Sequence, residues 1–274
     1  MIVVQKIPKK LIIIKYGSSV LVKKNTQGDV GIDTAVMEQH GQIINEIHEP
    51  VIIVSSGAVA FGNAFKNPFP AVTDSVLKKR LLAALGNPRL SIAWDTYIKD
   101  KNILQSLLTH RDLLTQKSKQ KIAELLYVLF SGESEEKNII QVNDNDFVTD
   151  EELVAFRGGD FGDNDEIVKL LVFLCTGIFE SIEVVINTSA DGVLKNEVVV
   201  PTLTVSELTD GYIEEICGGT KTDFGTGGME NKLKTIRDLL QQTTNVSVHI
   251  VNGKHSNALK QVLGGVSAGT HIFS

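Results

Sequence analysis

Two lysines, a group of short carboxylates and several glycine turns stand where a chain could handle phosphate. Lys15 closes the apolar run Leu11-Ile-Ile-Ile-Lys15, and the small-residue turn Tyr16-Gly-Ser-Ser19 follows it. Lys232 lies one turn beyond Gly225-Thr-Gly-Gly-Met229, at the end of a glycine-rich segment that begins at Gly218. Glycines let backbone amides approach oxygens, and a helix start adds its positive dipole end. With the mobile charge of Lys232, this stretch has the physics of a phosphate cradle. It is not a Walker A loop, because G-x-x-x-x-G-K-[ST] occurs nowhere, and it fails the dinucleotide fingerprint, because Glu230 stands where the third glycine belongs. Between the lysines lie Asn138-Ile-Ile-Gln-Val-Asn-Asp-Asn-Asp146 and Gly158-Gly-Asp-Phe-Gly-Asp-Asn-Asp165. Asp146, Asp163, Asn164 and Asp165 are poor core material, since unpaired buried carboxylates are costly. They read as two polar turns, one capping the helix that follows, or as a site.

Taken together, the set suits phosphoryl transfer, which demands positioning and charge neutralisation more than covalent chemistry. One lysine could bridge donor and acceptor across the transferred group, and the other could neutralise nucleotide phosphates. An aspartate between them would hold both ammonium groups. Covalent catalysis finds no support: Ser55 and Ser56 lack the G-x-S-x-G context, and the six histidines are scattered. His110 reads as a surface or structural residue.

Such residues need rigid elements to hold them. Leu11–Lys15 and Val51–Val54 read as buried parallel strands, short, continuous and β-branched, each leaving through a small-residue turn. Lysine at the carboxyl end of a strand sits where open α/β sheets place ligands. Helices are expected from Asp33 to His48, over Ser75–Leu85 and Arg89–Lys99 with a break at Gly86-Asn-Pro88, from Lys117 to Phe130, and from Glu166 to Thr176. Ile103–Leu108, Ile182–Ile186 and Val246–Val251 read as further strands, Val193–Val200 as a hairpin or short strands, and Ser131–Lys137 as a polar surface loop. Ser206–Cys217, Met229–Gln241 and a segment from Ser256 read as helices before a last strand at Thr270–Phe273. Strands alternating with helices point to an α/β fold with a largely parallel sheet and helices on both faces.

Composition bounds the rest. At 274 residues and 29.9 kDa the chain can bury a large core, as one domain or two lobes. A net charge of -6 argues against nucleic acid as the main partner. Cys175 and Cys217 share no C-x-x-C spacing, so a reducing cytoplasmic setting is expected, with Cys175 a small buried residue. The first ten residues lack a signal-length apolar region, and no stretch reaches the length of a membrane span, so no membrane partner is expected.

The blocks Lys15-Tyr-Gly-Ser-Ser-Val-Leu21, Val54-Ser-Ser-Gly-Ala-Val-Ala60, Leu82-Ala-Ala-Leu-Gly86, Leu107-Leu-Thr109, Val142-Asn-Asp-Asn-Asp146, Phe161-Gly-Asp-Asn-Asp165 and Gly225-Thr-Gly-Gly-Met-Glu-Asn-Lys232 follow one another over nearly the whole chain. As a set they resemble the glutamate 5-kinase branch of the amino acid kinase family. The resemblance implies a three-layer α/β/α sandwich with a mainly parallel central sheet. It implies one kinase domain over 1–274, with an acid-substrate lobe over about 1–177 and an ATP lobe over about 178–274. It further implies ATP-dependent phosphorylation of the γ-carboxylate of L-glutamate, the first step of proline synthesis, in a cytoplasmic homo-oligomer, a dimer or tetramer. Lys15 and Lys232 would stabilise the transferred group, with Asp165 organising them. Ser56, Gly57, Asp146 and Asn164 would bind glutamate. Lys15, Gly17, Thr188, Ser189, Gly225, Thr226, Gly227, Gly228, Met229 and Lys232 would line the nucleotide site. No protein metal ligand is implied, and Mg2+ would be held mainly by the phosphates.

The chain departs from that pattern in four places. Thr188-Ser189 stands where the family carries Thr-Asp, and no Arg, Tyr and Asn motif is recognisable in Thr115–Leu126. The stretch after Gly192 is short and lacks Asp-Pro, and the sequence ends at Ser274, without the C-terminal RNA-modification-type (PUA) domain of many bacterial members. These departures keep two alternatives open: a kinase of the same fold acting on another small carboxylate or phosphate, and a weakly catalytic ligand-binding member.

Overall fold

A computed structural model describes residues 7–24, 30–64, 68–131, 137–148, 164–217 and 228–274. In chain order the strands are β1 (Ile7–Tyr16), β2 (Val22–Lys24), β3 (Val30–Ile32), β4 (Val51–Ser55), β5 (Asn102–Leu108) and β6 (Asn138–Asp144), then β7 (Phe179–Thr188), β8 (Leu194–Lys195), β9 (Val198–Val199), β10 (Thr202–Thr204), β11 (Val246–Asn252) and β12 (Thr270–Phe273). The described helices are α1 (Ser18–Leu21), α2 (Thr34–Glu46), α3 (Ala58–Asn63), α4 (Ser75–Tyr97) and α5 (His110–Leu114), then α6 (Gln116–Phe130), α7 (Asn164–Thr176), α8 (Asp210–Cys217), α9 (Gly228–Gln241) and α10 (Ser256–Leu263).

Eight strands form one sheet in the order β10-β12-β11-β7-β1-β4-β6-β5. All its neighbours pair parallel except β11 with β12, which run antiparallel in the register Val248 to Ile272. The continuous β-branched runs of β1, β4 and β7 are central strands with both faces covered, as a parallel sheet requires. Leu11 and Ile13 of β1 pack with Ile167, Val168 and Leu171 of α7 and Leu233 and Ile236 of α9. Ile12, Ile14 and Tyr16 face the other way, against Met37 and Ile44 of α2, Leu90 and Trp94 of α4, and Leu259 of α10. The result is the three-layer α/β/α sandwich with a mainly parallel sheet that the sequence implied.

Strand order turns at β1. The chain builds β4, β6 and β5 outward on one side, then crosses through α7 to place β7 and β11 on the other. Ligands bind such sheets outside the carboxyl ends of the strands at that switch point. Here the ends of β1, β4, β6 and β7 meet there, bringing Lys15, Ser55, Asp144 and Thr188 to one edge.

Several local readings change. The helix break expected at Gly86-Asn-Pro88 does not exist: α4 runs through it with Pro88 inside. Pro88 forfeits one backbone bond, but α3 packs backbone-to-backbone on α4 at Gly86, and that contact holds the helix line. Helix α5 was not foreseen; Thr109 and Asp112 form a reciprocal capping box at its start. Helix α8 starts at Asp210, four residues later than the expected Ser206, and the antiparallel β2–β3 pair was missed. In the β8–β9 hairpin, Asn196 and Glu197 both take positive φ, at 51° and 65°. The Ser131–Lys137 loop lies largely outside the described residues, as do Gly158–Asp163 and 218–227. Cys175 is buried and free. Among the described residues no helix is long and apolar enough to cross a membrane.

Candidate active site

Lys15 is inside β1, one residue before its end, and is 3% exposed rather than solvated. Its Nζ lies 2.7 Å from Asp165 Oδ1. Asp165 is not in a loop: α7 begins at Asn164, so the carboxylate occupies the first helical turn, where the dipole favours a negative charge. Its other oxygen, Oδ2, accepts from Nζ of Lys232, in the first turn of α9. Two ammonium groups from opposite sides of the sequence thus clasp one carboxylate at the sheet edge. Burial alone would raise the Asp165 pKa, but Lys15 and Lys232 outweigh it and hold the carboxyl well below the usual range. The trio carries a net positive charge away from bulk water, which is the electrostatic character of a phosphoryl site.

Beside it is a cluster of amides and acids. Asn164 Nδ2 donates to Ser56 Oγ at 2.6 Å and to Asn143 Oδ1 at 3.4 Å. Gly57, at φ 109°, lies in the left-handed region that glycine tolerates and forms the entry to α3. Asp146 is 3% exposed, and burial first, then the neighbouring Asp144 charge, pushes its carboxyl up to about 7. Arg80 of α4 ties this turn down, donating to the carbonyls of Asp146 and Phe147, the latter at 2.7 Å. Asn164 Oδ1 and Asp146 Oδ1 are buried acceptors with no hydrogen-bond partner among the described residues. Buried polar atoms are rarely left so, and two acceptors without donors fit a ligand that brings N–H groups.

On the nucleotide side the outcome is mixed. The amide of Gly17 donates to the Asn187 carbonyl at 3.1 Å, so it is committed to the β1–β7 junction. Thr188 ends β7, its hydroxyl in a turn with Ala190, and Ser189 is exposed. Gly228 opens α9, while Met229 packs against the core. Gly225, Thr226 and Gly227 lie outside the described residues. The sequence reading assigned no role to Asn143, Asp144, Arg80 or Asn187. Asn143 and Asp144 sat inside a quoted block, where consecutive Asn and Asp read as turn residues. Arg80 had no signal beyond its helix.

Titration of this molecule sets two buried groups against each other. His40 is fully buried, accepts from the Tyr16 hydroxyl at Nδ1 (2.8 Å) and faces the Gly253 carbonyl through Nε2 (3.0 Å). Burial lowers its pKa to about 4. The unfolded chain therefore binds more protons at His40, and stability is lost as pH falls from about 6.5 toward 4. Asp146 has the opposite sign, because a folded pKa of about 7 lies above its unfolded value, so stability falls as pH rises from about 4 to 7. The His40 shift corresponds to roughly 3 kcal/mol at most and the Asp146 shift to roughly 4. Burial lowers the His271 pKa in the same sense, so the two histidines oppose Asp146 and the native chain should vary less across that window than either sign alone would give. Asp146→Asn should unmask the His40 slope, with denaturation midpoints that climb between about pH 4.5 and pH 7. Parallel profiles for both proteins would refute the assignment.

Comparison with known proteins adds to this geometry. The profile of the amino acid kinase family matches residues 10–252. A glutamate 5-kinase of Haemophilus influenzae is 31% identical over 236 residues, which is 82% of this chain and 58% of that protein. A glutamate 5-kinase of Shewanella oneidensis is 27% identical over 281 residues, 97% of this chain and 68% of that protein. The chain thus spans little more than half the length of the Haemophilus relative. Among solved structures, the T. acidophilum isopentenyl phosphate kinase superposes with a TM-score of 0.58 at 13% identity, covering 96% of this chain and 99% of that one. UMP kinase from Bacillus anthracis gives 0.55 at 14% identity over 97% and 96%. At these identities the structural likeness concerns the fold.

Proposed function

Because the chain belongs to the amino acid kinase family, we propose that it transfers the γ-phosphoryl group of ATP to the γ-carboxylate of L-glutamate. The observation that carries this is the juxtaposition of the Lys15–Asp165–Lys232 clasp with the two unpartnered acceptors on Asn164 and Asp146. The clasp suits a phosphoryl group, and the acceptors suit the α-ammonium of an amino acid. The acid site draws on a first lobe, about 1–177, and the nucleotide site chiefly on a second, about 178–274.

In this reading a γ-carboxylate oxygen forms a bond to the γ-phosphorus as the bond to the β,γ-bridging oxygen breaks, leaving ADP and an acyl phosphate. The acceptor is already an anion at neutral pH, so no general base is needed, and Asp165, the carboxylate beside the lysines, is held by both of them. Their work is to neutralise charge spread over the transferred oxygens, preorganised by Asp165. Among the described residues no three His, Cys, Asp or Glu side chains group to hold a metal ion, and Asp165 is engaged by both lysines. Mg2+, if bound, would sit on phosphate oxygens and water, its preferred ligands, and would shield their charge.

The test is ATP consumption with Mg2+ and L-glutamate, trapping the acyl phosphate with hydroxylamine. Glutamate-dependent hydroxamate is the expected product. Hydroxamate only from another acid in a panel would move the substrate, and none from folded, ATP-binding protein would leave a ligand-binding member. A second expectation follows from Asp146. An ammonium needs the ionised carboxylate, so the apparent KM for glutamate should rise as pH drops below about 7, by up to roughly tenfold per pH unit, while the KM for ATP holds. Parallel movement of the two constants would take Asp146 out of the acid site.

A further inference from the structure

We propose that Asn87, in the middle of α4, is a positioning residue for the acid site, acting through Asn143 to fix which end of the Asn164 amide faces the substrate. This rests on the acid-site reading above. Asn87, Asn143 and Asn164 are all buried, at 3%, 2% and 1% exposed. Gln105, on the edge strand β5, donates to the Asn87 carbonyl at 3.1 Å and anchors the start of the chain of contacts. Asn87 Oδ1 accepts from Asn143 Nδ2 at 2.8 Å. That bond determines the rotation of the Asn143 amide, because an amide has one accepting and one donating end. With its nitrogen held by Asn87, Asn143 must present Oδ1 the other way. There it accepts the Asp144 amide at 2.9 Å and Asn164 Nδ2 at 3.4 Å.

The same logic then acts on Asn164. Its Nδ2 is committed to Asn143 Oδ1 and Ser56 Oγ, so Oδ1 is the end left over, and Oδ1 is the buried acceptor without a partner among the described residues. A substrate ammonium needs that oxygen and would be repelled by the amide's NH2 end. Remove the acceptor at position 87 and Asn143 can rotate, offering its own NH2 to Asn164. Asn164 then loses one of the two contacts that set its orientation, and flipped states compete with the binding-competent one. The penalty falls on acid binding, since neither Asn87 nor Asn143 touches the lysine clasp in the described contacts. In cooperative amide chains of this kind the loss exceeds that of one exposed hydrogen bond.

The test compares Asn87→Leu, close in size but without an acceptor, with Asn87→Asp, which keeps an oxygen in the same place. Asn87→Leu should raise the KM for the acid about tenfold, the scale of one buried hydrogen bond. It should leave the KM for ATP within about twofold, and Asn87→Asp should recover most of the loss. In an Asn143→Ala background, Asn87→Leu should add nothing further, because its route is gone. Equal rises in both KM values, no recovery in Asn87→Asp, or additive losses in the double variant would each overturn the proposal. If Asn87→Leu does not fold, Asn87→Ala serves in its place. If the wild type uses another acid, constants for that acid are compared, so a wrong substrate shows in the wild type and a wrong relay only between variants. Were the wild type to use none, the ligand-free protein still decides. The Asn164 side-chain amide pair, identified in a proton–nitrogen correlation spectrum by its loss in Asn164→Asp, should shift in Asn87→Leu and hold in Asn87→Asp. An unmoved signal sinks the relay.

Discussion

Lys232→Ala is expected to lower turnover by roughly a hundredfold or more, the scale of losing one preorganised charge donor at a developing anion. Lys15→Ala should do the same, since both ammonium groups reach the one carboxylate. Asp165→Asn is the more informative change. It leaves two buried ammonium groups facing a neutral amide, so the free protein should lose roughly 3 kcal/mol or more, the usual cost of breaking a buried ion pair. An anion would relieve that repulsion. ATP should therefore raise the melting temperature of Asp165→Asn by more than it raises that of the native protein, even while turnover is impaired. Lys232→Ala should show the opposite, a smaller ATP shift, because it removes attraction for phosphate. Near-native turnover in all three variants would remove the proposed mechanism. Equal ATP shifts in Asp165→Asn and native protein would show that the clasp does not face phosphate.

That clasp was legible because its residue types are out of place in their elements. A lysine ending a β-branched strand and a carboxylate at the mouth of an apolar helix demand partners. The central strands were legible for a related reason: runs such as Ile12–Ile14 and Ile52–Val54, buried on both faces, carry no competing pattern. The amide chain from Asn87 to Asn164 was not. Asn is a common turn residue, and nothing in Gly86-Asn-Pro88 or Val142-Asn-Asp-Asn-Asp146 says that the two stretches meet across 56 positions of sequence. The antiparallel placement of β12 was also hidden, because a four-residue strand reads alike in either direction. The Asp144–Asp146 pair read as polar turn until burial gave one member a pKa of about 7.

The Gly86-Asn-Pro88 stretch misled for a reason that carries its own expectation. Gly86 was taken as a helix breaker, yet it is where α4 admits α3. A Cβ built there would meet the Ala58 carbonyl oxygen at 1.8 Å and the Gly62 amide nitrogen at 2.6 Å. Gly62 mirrors it, with a Cβ that would lie 2.0 Å from the Leu82 carbonyl oxygen. Both obstacles are backbone, so no side chain can turn aside, and the two helices must part. Helix propensity argues the other way, since alanine gains about 1 kcal/mol over glycine inside a helix. Overpacking against an unyielding backbone costs more, and Gly86→Ala should lose at least roughly 3 kcal/mol of stability. Gly211→Ala is the control: it lies in α8 with nothing within 4 Å of its Cβ position, and there propensity acts alone. It should be neutral or gain a few tenths to about 1 kcal/mol. Denaturant midpoints at constant slope measure both. Because α3 follows directly on Ser56 and Gly57, and α4 carries Asn87, prising them apart also opens the acid site. Gly86→Ala and Gly62→Ala should thus each weaken acid binding and fail to add in combination, since one separation accommodates both methyl groups. Additive losses would mean that the two contacts yield separately, and that the helix crossing is not the single rigid joint on which the acid site is mounted.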